Sequence, residues 1–299
     1  MNIDPRMNGA VKPLADLHAR PGDRILLHYS AYAPKLRGVL DLPNPTLLLS
    51  HNVTPAQWFW DHDPQIAIQC ALGRRQLPAY AARATRAAGV SAYNAHELGS
   101  DTVIPILFDP ARLGAPGPHA PTDPPTVLCV GRIAPHKRQD ELLRVIATFG
   151  PGIRLNVVGE PLNARYGARL HALGRDLGVD VTWESGLTTD ELATRYRRAS
   201  AYVTLSEHEG FCVPLLEAFH LGVPVIARPS GGVPEVAGDA ALLVDDRDPA
   251  VVAELVRLVT TDAELRATLT ERGRARVGAY APDVTAQTMR DALSSMGPT

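Results

Sequence analysis

The sequence predicts an α/β protein with two parallel-sheet lobes, and three observations carry that expectation. Short apolar runs of strand character alternate with longer helical patterns, the rhythm of parallel strands covered by helices on both faces. A stretch crowded with Pro and Gly, residues 109–125, separates a first series of elements from a more regular second one. The residues with chemical character fall in loops that follow strands, the edge at which open parallel sheets bind ligands.

In the first series, residues 24–29 (RILLHY) and 46–50 (TLLLS) read as buried strands, residues 64–88 as one long helix, and residues 102–108 as a further strand. Proline supplies no backbone donor and resists helix interiors, so residues 109–125 read as an interdomain linker. Beyond it, strands are expected at 126–130, 154–158, 181–184, 201–205, 224–227 and 241–244. Helical patterns between them include 139–149, 163–177, 190–199 and 213–221. The chain thus divides into a first lobe at 1–110, a linker at 111–125, a second lobe at 126–278 and a terminal helix within 279–299.

At 299 residues the chain is long enough for two lobes, and its 45% hydrophobic content is that of a globular protein rather than a disordered one. A net charge of -2 supplies no electrostatic case for nucleic acid or an anionic membrane as partner. Cys70, Cys129 and Cys212 are far apart and lack C-x-x-C spacing, which fits reduced thiols in a cytoplasmic protein. The first residues show no signal pattern, and no apolar run reaches the ~20 residues a bilayer span requires. Peripheral contact with a membrane surface is compatible with this composition.

The most informative string is Ser206-Glu-His-Glu-Gly-Phe-Cys-Val-Pro-Leu-Leu-Glu217. A strand ends before it, and a helix begins near Val213 with Pro214 in its first turn. Gly210 lets the backbone approach a ligand, and the N–H groups of Phe211, Cys212 and Val213 then form a seat for phosphate at the positive end of a helix. Glu217, one turn further, can accept two hydroxyl donors such as a ribose offers. The alternative is a helix start with acidic residues that complement its dipole.

A second string, Val130-Gly-Arg-Ile-Ala-Pro-His-Lys137, places Gly131, Arg132 and Lys137 on the loop after a strand. Two cations there suit a diphosphate, although a solvated basic loop has the same composition. Lys12, Lys35 and Lys137 are the only lysines, so Lys137 stands out in a chain whose cations are nearly all Arg. In the first lobe, His51 follows a buried strand and can face the cleft between lobes or serve the core; His28 is a rival on the preceding strand. Asp61-His-Asp63 has the D-x-D form of a metal site, but Asp63 before Pro64 reads as a helix cap, and no metal is expected. Asp248 before Pro249 reads the same way. Glu235, ending Pro229-Ser-Gly-Gly-Val-Pro-Glu235, can touch a ligand or cap a helix.

With these residues in view, the chain resembles the retaining, metal-independent GT-B glycosyltransferases, group 1 or family 4, and within them bacterial mannosyl- and glucosyltransferases. The strings G-R-x4-K at 131–137, E-G-F-x-x-P-x-x-E at 209–217 and G-G-V-P-E ending at Glu235 carry the resemblance. It implies two Rossmann-like lobes, the second binding a nucleotide-sugar. Arg132 and Lys137 would neutralise the diphosphate, Glu209 would touch the sugar hydroxyls, Glu217 the ribose, and the backbone of residues 210–213 the phosphates. His51 matches a first-lobe His near the transferred sugar, and residues 283–293 match a helix that crosses back to the first lobe. The acceptor would be a glycan, a lipid-linked sugar or a small molecule; GDP-mannose is the first expectation for the donor, with UDP- and ADP-sugars as alternatives, and no cofactor is implied.

The pattern departs from that family at its start. Only about twenty residues precede the strand at 24–29, so the first lobe is expected to be incomplete by one or two βα units of ~30 residues each. Two other functions therefore stand beside transfer: a non-catalytic nucleotide-sugar-binding protein, and a nucleotide-sugar 2-epimerase.

Overall fold

The computed structural model describes residues 11–116 and 119–297. Nine strands form two parallel sheets. The first holds β1 (Ile25–Tyr29), β2 (Thr46–Ser50) and β3 (Arg86–Gly89) in that order. The second holds β4 (Thr126–Val130), β5 (Arg154–Val158), β6 (Val181–Glu184), β7 (Ala201–Thr204), β8 (Val225–Ala227) and β9 (Ala241–Leu243), ordered β6-β5-β4-β7-β8-β9. This is an α/β architecture with a three-stranded first sheet and a six-stranded second one. The order reverses between β4 and β7, so the loops after these two strands meet at a topological switch point, where such sheets form crevices.

The helices are α1 (Arg37–Leu40), α2 (Pro64–Ala81), α3 (Ala92–Glu97), α4 (Gln139–Phe149), α5 (Ala164–Asp176), α6 (Thr189–Arg198), α7 (Val213–His220), α8 (Val233–Ala237), α9 (Pro249–Thr261), α10 (Ala263–Gly278) and α11 (Pro282–Ser294). Their starts follow the local chemistry. Asp63 Oδ1 accepts from Ile66 N–H at 3.1 Å before Pro64 opens α2, so the D-x-D string ends in a helix cap. Asp248 caps α9 through Ala250 N–H at 2.9 Å, and Thr188 with Glu191 forms a capping box on α6. The central strands are buried along their whole length, as every residue of β2, β7 and β8 shows. Helices on both faces leave no solvated side to encode in an alternating pattern.

The structure corrects three expectations for the first lobe. The helix expected to reach Ala88 stops at Ala81, and residues 86–89 become β3, paired in register with residues 47–50 of β2. The Ala-rich sequence favours helix, but pairing with β2 decides the outcome. The strand expected at 102–108 is reduced to a bridge between Val103 and Gly89. The stretch expected to be a helix-free linker begins with a 3-10 turn, Pro110–Leu113, capped by Asp109. Arg197 of α6 donates to the carbonyls of Leu113 at 2.9 Å and Ala115 at 3.1 Å, tying this stretch to the second lobe.

The lobes share one apolar core. Leu47, Leu49, Ala88 and Val90 of the first sheet pack in the same cluster as Phe211, Leu215, Leu216 and Val233 of the second lobe. Met289, Leu293 and Met296 border this cluster, while Arg24 donates to the Gly297 carbonyl at 3.1 Å and Arg86 bonds the Ser295 hydroxyl. The chain end beyond α11 is thereby attached to the first sheet.

Gly89 supplies a sharp test of this packing. A Cβ on it would lie 2.1 Å from the Ala95 nitrogen and 2.5 Å from the Asn94 carbonyl carbon, both backbone atoms. Gly89→Ala should therefore push α3 off β3 and destabilise the protein by about 1–3 kcal/mol, read as a lower urea midpoint. An unchanged midpoint would contradict the packing described.

Candidate active site

The loops after β4 and β7 bring Lys137 and Glu209 together. Lys137 Nζ lies 2.6 Å from Glu209 Oε1, and Glu209 is only 7% exposed. Burial is the largest single influence on both groups and opposes both charges, but the partner's opposite charge, the hydrogen bond between the two and smaller neighbouring contributions together outweigh it. The Lys137 pKa is therefore raised and that of Glu209 lowered, so both stay ionised near neutrality. Neighbouring His136 is pushed down to about 3, by burial first and by the Lys137 charge second, and adds no positive charge. Gly131 sits at φ 141, and the space its missing Cβ leaves is open, with Lys137 Nζ 4.0 Å away. Arg132 is exposed and forms no ion pair among the described residues, while its carbonyl accepts from Gln139 Nε2 at 3.1 Å.

On the other side of this pair α7 begins. Cys212 adopts a left-handed conformation, φ 75 and ψ 68, and no side chain caps the helix. Among the described residues, the N–H groups of Phe211, Cys212 and Val213 have no acceptor. They form an anion-favouring corner at the positive end of the helix, beside the Lys137–Glu209 pair. Cys212 and Cys129 are buried free thiols, and burial pushes Cys129 up to about 12. Glu217 lies one turn into α7, where its Oε2 accepts from the Tyr196 hydroxyl at 2.8 Å. Burial, the largest influence, raises the Glu217 pKa despite that hydrogen bond.

His51, at the carboxyl end of β2, faces His28 of β1, with His51 Nε2 and His28 Nδ1 2.6 Å apart. Burial first and the neighbouring His28 second lower the His51 pKa, so its imidazole is neutral at pH 7. The two histidines that the sequence presents as rivals form one pair. Asn52, at φ 81, then turns the chain toward the second lobe, and its Oδ1 lies 2.9 Å from His208 Nε2. His51 and Glu209 are each one residue from that contact.

Gly210 also packs against the first lobe. The space beside its Cα holds Asn52, and a Cβ on Gly210 would lie 2.5 Å from Asn52 Cβ. Its carbonyl accepts from the Ser91 hydroxyl at 2.7 Å. Glu235, with its two possible roles, caps a helix: its Oε2 accepts from Ala92 N–H at 2.6 Å, at the start of α3 in the opposite lobe.

Sequence reasoning missed the support behind Lys137. Arg228 is 3% exposed and bonds Glu141 at 2.7 Å, Glu207 at 3.2 Å and the Leu205 carbonyl at 2.8 Å. Arg138 joins the same carboxylates, at 2.5 Å to Glu141 and 3.4 Å to Glu207, while Arg247 reaches Glu207 at 2.6 Å. This network ties together the loops after β4, β7, β8 and β9. It also holds Arg138 in a left-handed conformation, φ 53, that costs a non-glycine residue about 1–2 kcal/mol. Its members are spread over more than a hundred residues as ordinary Arg and Glu, with no local signal. His208 and Asn52, by contrast, lie beside positions that the motifs had already marked.

The Lys137–Glu209 pair predicts a specific pH dependence. Because the folded pKa of Glu209 is lowered, its contribution is present above the unfolded carboxylate value of ~4.3 and is lost as pH falls through the folded value. Because that of Lys137 is raised, its contribution is full below ~10.4 and is lost as pH rises through the folded value. The stability of the wild type relative to a Lys137→Met, Glu209→Leu double variant should thus be flat between about pH 5 and 10 and decline on both sides. Urea midpoints across this range test it; a difference independent of pH would remove the pair's electrostatic role.

Comparison with known proteins agrees with this geometry. Residues 116–276 match the family described as "Glycosyl transferases group 1". A GDP-mannose-dependent alpha-(1-6)-phosphatidylinositol monomannoside mannosyltransferase of Mycobacterium tuberculosis (strain ATCC 25618 / H37Rv) is 34% identical over 165 residues, covering 50% of this chain and 42% of the relative. A D-inositol 3-phosphate glycosyltransferase of Acidothermus cellulolyticus is 38% identical over 163 residues, covering 50% of this chain and 36% of the relative. The chain therefore matches well under half the length of these curated relatives. In fold, it is similar to sucrose-phosphate synthase from Thermosynechococcus elongatus, with a TM-score of 0.74 at 22% identity over 91% of this chain and 73% of that one. Anabaena HepE, solved with UDP and glucose, gives a TM-score of 0.68 at 19% identity, covering 84% of this chain and 72% of that chain. The fold is that of the GT-B glycosyltransferases, and with more than half of its length matched, the chain belongs to the group 1 glycosyl transferases.

Proposed function

We propose that the chain transfers a hexosyl group from a nucleotide-diphosphate sugar to an acceptor hydroxyl with retention of anomeric configuration and without a metal. The observation that carries this reading is the Lys137–Glu209 pair at the uncapped start of α7. In the reaction, the bond from the anomeric carbon to the diphosphate breaks and a bond to the acceptor oxygen forms on the same face. The acceptor proton passes to the leaving phosphate. Negative charge grows on that phosphate, and Lys137, Arg132 and the N–H groups of Phe211, Cys212 and Val213 are arranged to stabilise it.

When a donor enters, the diphosphate replaces Glu209 as the partner of Lys137. Glu209 then accepts hydrogen bonds from the sugar hydroxyls, and Glu217 accepts the ribose hydroxyls beside Tyr196. His51, neutral and held by His28, faces the transferred sugar from the first lobe. GDP-mannose is the proposed donor, in line with the GDP-mannose dependence of the mycobacterial relative. The occupation of Asp63 as a helix cap supports a reaction that does not use the D-x-D string for metal binding.

Two measurements test this reading. Calorimetry with GDP-mannose, UDP-glucose and ADP-glucose should show saturable binding of GDP-mannose, weakened by Glu217→Gln. Lys137→Ala should lower kcat/KM by about 10²–10³ while the far-UV spectrum and cooperative melt persist. Near-normal turnover would sink the role of Lys137. Donor binding without transfer or hydrolysis would identify a donor-binding protein instead, and interconversion of the donor without acceptor would identify an epimerase.

A further inference from the structure

A second cleft lies away from Lys137 and Glu209, on the flank where the segment before α2 meets α4 and α5. Its volume is about 510 Å³, within the range of small-molecule sites, and a recess of about 100 Å³ adjoins it. Trp58, Asp61 and His62 of the first lobe form one wall; Arg144, Arg169 and Asp176 are on the other, with Tyr166 at the base. The walls are fixed to each other: Asn163 Nδ2 donates to the His62 carbonyl at 3.1 Å, and the His62 and Tyr166 rings meet edge to face at 4.9 Å.

We infer that this cleft is a subsite for the pyranose rings of a neutral oligosaccharide. The charges of the lining decide against other ligand classes. Arg138 and Asp140 pair with each other at 3.3 Å. Arg144, Arg169, Asp61 and Asp176 form no ion pair among the described residues, so two free cations and two free carboxylates line the same cleft. A phosphate would meet the carboxylates, and a metal ion would meet the guanidiniums. An array of hydroxyls satisfies both, because carboxylates accept and guanidiniums donate in pairs. Trp58 supplies an aromatic face for the C–H side of a sugar ring. The Tyr166 hydroxyl has no hydrogen-bond partner among the described residues, and burial raises its pKa to about 12, so it stays protonated and can both donate and accept.

Pro135 and Arg138 line this cleft on either side of the turn that holds Lys137, so the turn separates the subsite from the proposed reaction centre. As a holder of acceptor sugars the subsite rests on the transferase reading; as a glycan site it stands without it.

The test uses α-linked mannotriose as probe, followed by ligand-observed NMR and calorimetry without donor. Saturable millimolar binding is expected, weakened about tenfold or more by Trp58→Ala and by Arg169→Ala, whose side chain is exposed and whose loss leaves the core packing intact, and retained in Lys137→Ala. Tyr166→Phe, which preserves the ring packing on His62, should weaken it to a smaller extent. No saturation up to about 50 mM, binding indifferent to Trp58→Ala and Arg169→Ala, or displacement by equimolar inorganic phosphate would overturn the inference. Mannotriose binding without binding of any nucleotide-sugar would sink the transferase reading alone; donor binding without mannotriose binding would sink the subsite alone.

Discussion

The ion pair between Lys137 and Glu209 is the constraint around which the second lobe is arranged. Two charges can be withdrawn from water only where the geometry is held closely, because their attraction barely exceeds the desolvation cost. The fold supplies this geometry at the switch between β4 and β7, where two loops emerge side by side. Arg228 then braces both loops from below, and Arg138 accepts a left-handed backbone to join the same carboxylates. The pair is thus the visible end of a larger electrostatic framework. Lys137 lies where that framework meets the free N–H groups of α7.

The same loop also joins the lobes. Gly210 lies against Asn52, its carbonyl is held by Ser91, and Glu235 reaches across to the first turn of α3. A side chain at Gly210 would separate surfaces that now touch at backbone distance. The string around Gly210 is therefore also the contact surface for the first lobe. Through the contact of Asn52 with His208, this coupling brings His51 close to Glu209, although Asn52 and His208 lie 156 residues apart in the chain.

Much of the second lobe was legible from its residues. Helix α4 falls where its apolar spacing places it, and β4, β5 and β6 match the apolar runs end to end, because buried parallel strands and amphipathic helices write distinct patterns. The helix caps at Asp63 and Asp248 could be read from an acidic residue before proline. The first lobe was harder. Its β3 consists of Arg-Ala-Ala-Gly, residues that favour no strand, and it exists because β2 offers an open edge. The expected strand after it is reduced to a single bridge, from Val103 to Gly89.

The sequence by itself determined the site's chemistry: which loops carry cations, which carry carboxylates, and which helix starts with its donors free. These properties belong to single residues and to spacings of a few positions, so they survive without knowledge of the fold. Only the tertiary structure decided the partnerships. It set Glu209 on Lys137, Tyr196 on Glu217, His28 on His51 and Asn52 on Gly210, and it buried Arg228 among carboxylates far away in the chain. Ion pairs and close backbone approaches depend on distance through space, and in a sheet whose strand order reverses, distance along the chain does not encode it.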